Sequence, residues 1–171
     1  MEFEIVPGYD RPESIKALFA DYMDMLIEND PVFRDYLALQ NYDDELRDLS
    51  VKYGEPKGRL YLALSDGEAA GCIGMKYHDE HCCELKRLYV KPEFRGRGLA
   101  LRLCRLIMSE AEKAGYDYIL LDTLPFLTGA KHIYDKLGFY ETGPYNDSPM
   151  GNSIYMRFDL KENCYEPEFT V

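Results

Sequence analysis

No apolar run in this 171-residue chain approaches the roughly 18 residues that a membrane helix needs, so no membrane partner is expected. The first residues, Met1-Glu2-Phe3-Glu4, lack a basic stretch followed by an apolar one, and no signal peptide is read there. Among five cysteines no Cys-x-x-Cys occurs; the odd set reads as reduced thiols of a cytoplasmic protein. Cations are scarce: 20 Lys and Arg against 31 Asp and Glu leave a formal net charge of −11, which argues against nucleic acid as a partner. Internal repeats, low-complexity segments and linkers are also missing. The length then fits one domain, residues 1–171, with a sizeable core.

The charge that is present is unevenly spread. Residues 84–105 carry seven cations against two acids, whereas residues 10–50 carry four cations against eleven acids. A basic stretch set in an acidic body suits an anionic cofactor, and the acidic first third leans toward a small cationic substrate. The basic stretch is also the most structured part of the sequence. A β-branched and aromatic run ends at Val90, Lys91-Pro92 breaks it, and Arg95-Gly96-Arg97-Gly98 comes next. Apolar residues then recur at Leu99, Leu103, Leu106, Ile107, Ala111 and Ala114, one face of a helix over 97–114. A glycine-rich turn into a helix N-terminus offers unpartnered N–H groups and partial positive charge, and glycine lets a ligand approach the backbone. That combination is a phosphate site, with Arg95, Arg97 and Arg102 around it.

Elsewhere the pattern predicts a strand within 2–9, a helix over 12–28 with Asp10 as its cap, and a short helix over 43–53 with Leu46 and Leu49 inward. Strands are expected at 59–65, 68–77, 83–90 and 116–123, a short helix at 130–137, and closing strands at 139–145 and 153–160. Asp66-Gly67 is a hairpin turn, and Gly71 and Gly74 suggest a bulge. A strand, a crossover helix and a further strand imply one parallel pair. The tail 161–171 has no clear pattern.

Two blocks carry a resemblance. Arg95-x-x-Gly98-x-Ala100, preceded by Leu88-Tyr89-Val90-Lys91-Pro92, resembles the Q/R-x-x-G-x-G/A signature of the GNAT superfamily of N-acetyltransferases. About 40 residues on, Ala130-Lys131-His132-Ile133-Tyr134-Asp135-Lys136-Leu137-Gly138-Phe139, after Leu121-Asp122-Thr123, resembles the family's A-x-x-x-Y-x-K-x-G-F block. Leu127 stands where many members carry Asn. The resemblance covers roughly 59–160 and implies a mixed α/β (α+β) fold with a mostly antiparallel sheet of six to seven strands and helices on both faces. It implies two strands that part at Val90 to admit the pantetheine arm of acetyl-CoA, and a pair of helices between the first two strands shaping the acceptor site. It also implies an acetyl-CoA-dependent transfer to a primary amine, on a small molecule or a peptide, without a covalent enzyme intermediate. The implied cofactor-binding set is Leu88, Val90, Arg95, Gly96, Arg97, Gly98, Leu99, Ala100, Thr123 and Lys131. Family analogy suggests a homodimer through the C-terminal strands.

Acetyl transfer needs a neutral amine, a polarised carbonyl and a proton for the departing thiolate. The family places Tyr134 as the proton donor. Glu84, on the strand before the glycine turn, is the candidate base; if no bulge intervenes, Glu84, Lys86 and Leu88 share a face and Lys86 weakens it as a base. A strand-edge ion pair is the competing reading for Glu84, and a core tyrosine for Tyr134. His78, His81, Cys82 and Cys83 could ligate a metal, but zinc sites commonly need two spaced pairs, so no metal is expected. A non-catalytic acyl-CoA-binding module and a transferase of longer acyl chains are the rival readings.

Overall fold

The computed structural model describes residues 1–161. Seven strands make one sheet: β1 (Glu4–Pro7), β2 (Arg59–Ser65), β3 (Glu68–Tyr77), β4 (Cys82–Val90), β5 (Tyr118–Thr123), β6 (Tyr140–Thr142) and β7 (Ile154–Asp159). Their order is β1-β2-β3-β4-β5-β7-β6. Only β4 and β5 run parallel; the other neighbours are antiparallel. Connection length explains this. Short turns join β2 to β3 and β3 to β4, whereas β4 reaches β5 through the helix α5 (Leu99–Lys113). The mixed, mostly antiparallel sheet expected from the sequence is the one observed.

Among the described residues there are five more α-helices: α1 (Pro12–Asn29), α2 (Phe33–Leu39), α3 (Tyr42–Arg47), α4 (Leu49–Tyr53) and α6 (Thr128–Leu137). Leu99, Leu103, Ile107 and Ala111 of α5 pack with Tyr134 of α6 against one sheet face. Ile15, Leu18 and Phe19 of α1, with Leu49 and Tyr53 of α4, pack on the other. A third cluster joins α1 and α2 to Leu124 and Met150, beyond the end of β5.

Some local expectations need correction. No side chain caps α1; Asp10 belongs to a 3-10 turn over Gly8–Asp10. The single helix expected over 43–53 is two, parted at Asp48 (φ −147°, ψ 98°), whose carboxylate accepts the Ser50 N–H at 3.0 Å. Counting α1 and α2, four helices lie between β1 and β2 where a pair was expected. The closing strand expected over 139–145 shortens to Tyr140–Thr142, because Pro144 has no N–H for the ladder. The expectation for the tail falls, beyond Lys161, outside the described residues. Among the described residues no helix is long and apolar enough to cross a membrane.

Two irregularities in β4 shape the space beside it. The register against β3 steps from Cys72↔Tyr89 to Gly74↔Lys86, so Arg87 and Leu88 together oppose Ile73. This is a bulge, with Arg87 at φ 60°. It puts the consecutive cations Lys86 and Arg87 on the same side, where both reach the Gln40 side chain. It turns Leu88 to the α5 side, so the expected shared face of Glu84, Lys86 and Leu88 breaks after Lys86. The second irregularity is that the β4–β5 ladder covers only Cys82–Glu84 against Tyr118–Leu120 and then stops. The strands part right after Glu84, earlier than the expected point at Val90.

Candidate active site

The fork between β4 and β5 opens into a cleft of about 490 Å³. Leu88 and Val90 of β4 form one wall, with Tyr89 and Tyr22 stacked beside them at a ring separation of 5.5 Å. Arg95, Gly96, Gly98, Leu99 and Ala100 form the floor at the start of α5. Gly129, His132, Ile133 and Lys136 of α6 close the far side. That spacing is one face of a helix, so Lys131 falls off it. Its ammonium is instead held by the Asp135 carboxylate at 2.8 Å, and Lys136 is the lysine of α6 that lines the cleft.

The floor suits an anion. Gly98 caps α5 in the left-handed conformation (φ 77°), and the first backbone bond into the helix runs from the Arg102 N–H to the Gly98 carbonyl at 3.0 Å. The N–H groups of the first turn therefore have no carbonyl one turn back. Gly96 (φ 74°) is also left-handed, and a Cβ built on either glycine meets no atom within 4 Å. Glycine is thus favoured there by backbone conformation and not by packing inside the protein, and it leaves the backbone open toward the cleft. Arg95 is turned back: its Nε donates to the Val90 carbonyl at 2.8 Å and its guanidinium lies 5.7 Å from the Tyr89 ring centre. It fixes the turn against the end of β4. Arg97 is exposed beside the Met1 sulfur at 3.2 Å and is not part of the cleft wall.

A second, smaller chamber of about 50 Å³ lies deeper in the fork. Tyr22, Leu127 and Ala130 line both spaces, so the chamber and the cleft meet there. Lys86, Arg87, Asp122, Thr123, Tyr36 and Tyr134 belong to its wall. Thr123, expected in the cofactor set, faces this chamber. Arg87 is fully engaged: Nε donates to one Glu45 oxygen at 3.0 Å and Nη2 to the other at 2.9 Å. Glu45 also takes the Lys52 ammonium at 2.8 Å. Burial pushes the Glu45 carboxyl up, but the Arg87 charge and the hydrogen bonds from Arg87 and Lys52 outweigh it and hold it at about 2.

Glu84 and Tyr134 are not equivalent in placement. Tyr134 is buried on the chamber wall, and desolvation raises its hydroxyl well above the ordinary tyrosine range. It therefore stays protonated, with a proton available to donate. Glu84 lines neither space. Its carboxylate accepts the Tyr145 hydroxyl at 3.1 Å and has Lys86 at 3.8 Å, Lys76 at 3.7 Å and His78 at 3.4 Å. Burial raises this carboxyl, but Lys86 and then Lys76 overcome it, so the net displacement is downward. Near the same turn His78, Asp79 and Cys82 bring one ligand atom each within 4.8 Å of one another. Asp79 Oδ1 there already accepts the N–H groups of His81 and Cys82 at 2.7 and 3.0 Å.

Sequence reasoning missed the chamber's other half. Gln40, Glu45, Asp122, Tyr36 and Asn146 come from four distant segments. Asn146 donates to the Tyr36 hydroxyl at 3.0 Å, and Tyr36 donates to Asp122. No local spacing marks such a group; the acidic excess of residues 10–50 was the one hint of Glu45.

A model of the Acetyltransferase (GNAT) family matches residues 16–139. An uncharacterized N-acetyltransferase of Schizosaccharomyces pombe is 41% identical over 128 residues, spanning 74% of this chain and 78% of the relative. An acetyltransferase structure from Streptococcus agalactiae shares the fold with a TM-score of 0.73 at 20% identity, covering 92% of this chain and 98% of that one. The PaiA N-acetyltransferase of Thermoplasma acidophilum, solved in complex with coenzyme A, does so at 0.65 and 21%, covering 93% and 99%. With the family's two sequence blocks brought to one forked sheet, and a family match over most of its length, this chain belongs to the GNAT family of acetyltransferases.

Proposed function

We propose that the protein moves the acetyl group of acetyl-CoA directly to a primary amine. The observation that carries this reading is the fork: β4 and β5 part after Glu84, and the opening joins a glycine-capped helix N-terminus to a chamber walled by Tyr134. Acetyl-CoA supplies the thioester. The first-turn N–H groups of α5 hold its pyrophosphate. Beyond Glu84, among the described residues, the β4 edge facing the fork has no strand beside it, and offers backbone groups to the amides of the pantetheine arm.

Tyr134 donates its O–H toward the departing sulfur. With its pKa raised and a thiol ordinarily near 8.5, complete transfer runs uphill, so its part is a hydrogen bond to the developing thiolate. The amine reaches the thioester from the chamber. Glu84, ionised but set behind Lys86, takes the amine proton through water rather than by contact. A panel of primary amines with acetyl-CoA, read by thiol release, tests the reading. Amine-dependent release above hydrolysis is expected, falling as acetyl is replaced by longer acyl groups. Release with no amine of the panel would overturn it in favour of an acyl-CoA-binding module.

A further inference from the structure

We propose that the acceptor is an amine that also carries a carboxylate, an amino acid in the broad sense, with its carboxylate on Lys86 and its amine on Asp122. This rests on the reading of the fork as a site of amine acetylation, and names the substrate class for it.

The chamber wall holds three charges, and they are not equally satisfied. Arg87 is matched by both oxygens of Glu45. Lys86 is not matched in this way. It is buried, its one direct hydrogen bond among the described residues goes to the neutral Gln40 Oε1 at 3.2 Å, and the Glu84 oxygen lies at 3.8 Å, within ion-pair distance but beyond hydrogen-bond length. An ammonium has three donors, so Lys86 keeps capacity for an anion. Asp122 is the counterpart. Its Oδ2 is bonded by Tyr36 and more weakly by Asn146 at 3.4 Å, while among the described residues no donor reaches Oδ1 and no cation lies within ion-pair distance.

One small chamber thus presents a cation and an anion that act on each other through space, Asp122 being the leading charge that favours the Lys86 ammonium, while among the described residues neither has a charged hydrogen-bond partner. Holding Lys86 buried and Asp122 half-buried in that condition is costly, and a ligand with the opposite pair of charges relieves both. A plain cationic amine relieves only Asp122 and is repelled by Lys86. The acids of the first third do not change this, because the one buried among them, Glu45, is spent on Arg87 and Lys52. Size agrees. About 50 Å³ of such space holds a few water-sized groups, enough for an amine and a carboxylate. Ser153 lines both the chamber and an outer hollow of about 730 Å³ between Glu141 and Tyr155, which leaves room for the rest of the acceptor.

The test pairs each of the nineteen standard amino acids that carry a primary α-amine with the amine left when its α-carboxylate is removed, using the full chain and acetyl-CoA with thiol release as readout. At least one pair should favour the amino acid by tenfold or more in kcat/KM, the scale of one charge-assisted contact. In Lys86→Met that ratio should collapse toward one, and in Lys86→Arg it should persist, with CoA affinity and the melting transition checked alongside. If every pair favours the decarboxylated amine or is indifferent, the proposal is overturned even though the enzyme is active. A preference that survives in Lys86→Met also overturns it. If Lys86→Met does not fold, the wild-type ratio and Lys86→Arg decide alone. Release from no amine of either kind overturns the parent reading, and this one with it.

Discussion

The cleft and the chamber share three residues but are built by opposite means. The cleft is made of backbone: a strand edge left open by the fork, two glycines at positive φ, and the first turn of a 15-residue helix. The chamber is made of side chains that arrive from α1, α2, β4, β5, α6 and the segment between β6 and β7, with Glu45 of α3 set behind Arg87. A backbone site tolerates wide change in the side chains around it and fails when the backbone cannot take its shape. A side-chain site depends on each pairing, because a charge buried there relies on the particular group that faces it.

The largest expected effect lies in the chamber. Removing the charge of Glu45, as in Glu45→Gln, leaves Arg87 buried without its partner and should cost about 3–5 kcal/mol of folding stability. The measurement is the urea midpoint, with CoA affinity of the folded fraction nearly unchanged because the cleft does not use Glu45. The pH dependence has a fixed sign. The folded carboxyl titrates at about 2, below its ordinary 4.5. Its contribution is therefore fully present above about 4.5 and is lost as pH falls toward 2. Wild type and Glu45→Gln should differ most near neutrality and converge in acid.

Next comes the junction. Tyr134→Phe keeps the ring packed against Phe139, at 5.8 Å between centres, and removes only the donor. A fall in kcat of about 10- to 1000-fold is expected, with kcat/KM falling in parallel. CoA affinity should hold, since Tyr134 lines the chamber and not the cleft. Turnover unchanged at every pH would return Tyr134 to the role of a core tyrosine.

A smaller effect belongs to the cleft, and it has an internal control. Gly98 and Gly115 flank α5, at φ 77° and 88°, and a Cβ on either meets nothing within 4 Å. Alanine at each should cost a similar strain, about 1 kcal/mol. Only Gly98→Ala should also weaken CoA, by about 10- to 100-fold if one or two bonds to phosphate are lost. Equal CoA affinity in the two variants would remove the phosphate role from the turn.

The same contrast explains what could be read from the sequence. Arg95-x-x-Gly98-x-Ala100 was legible because a backbone site leaves its mark in adjacent residues. The strand–helix–strand run through α5 likewise pointed to the one parallel pair. The bulge was legible in part: Gly71 and Gly74 point to an irregularity and both register shifts of β3 fall beside them, but the extra residue sits across the ladder at Arg87–Leu88, where no glycine or proline marks it, and there the face that Leu88 would share with Glu84 and Lys86 in a regular strand is broken. The motif position points to Lys131, whereas helical phase gives the cleft wall to Lys136. Asp48-x-Ser50 did carry a signal for the break between α3 and α4, an Asp able to cap a new helix two residues on, and it went unread. The chamber stayed invisible because Gln40, Glu45, Asp122 and Asn146 are neighbours only after the chain has folded.

The central claim is that the cleft alone holds the cofactor, through backbone donors at the fork and the start of α5. Amide hydrogen exchange with and without CoA measures those donors directly. The account predicts slowed exchange at Leu88–Val90 and at Gly98–Leu101 on adding CoA, with little change in α3 and α4. Protection confined to α3 and α4, or none at residues 98–101, would contradict it.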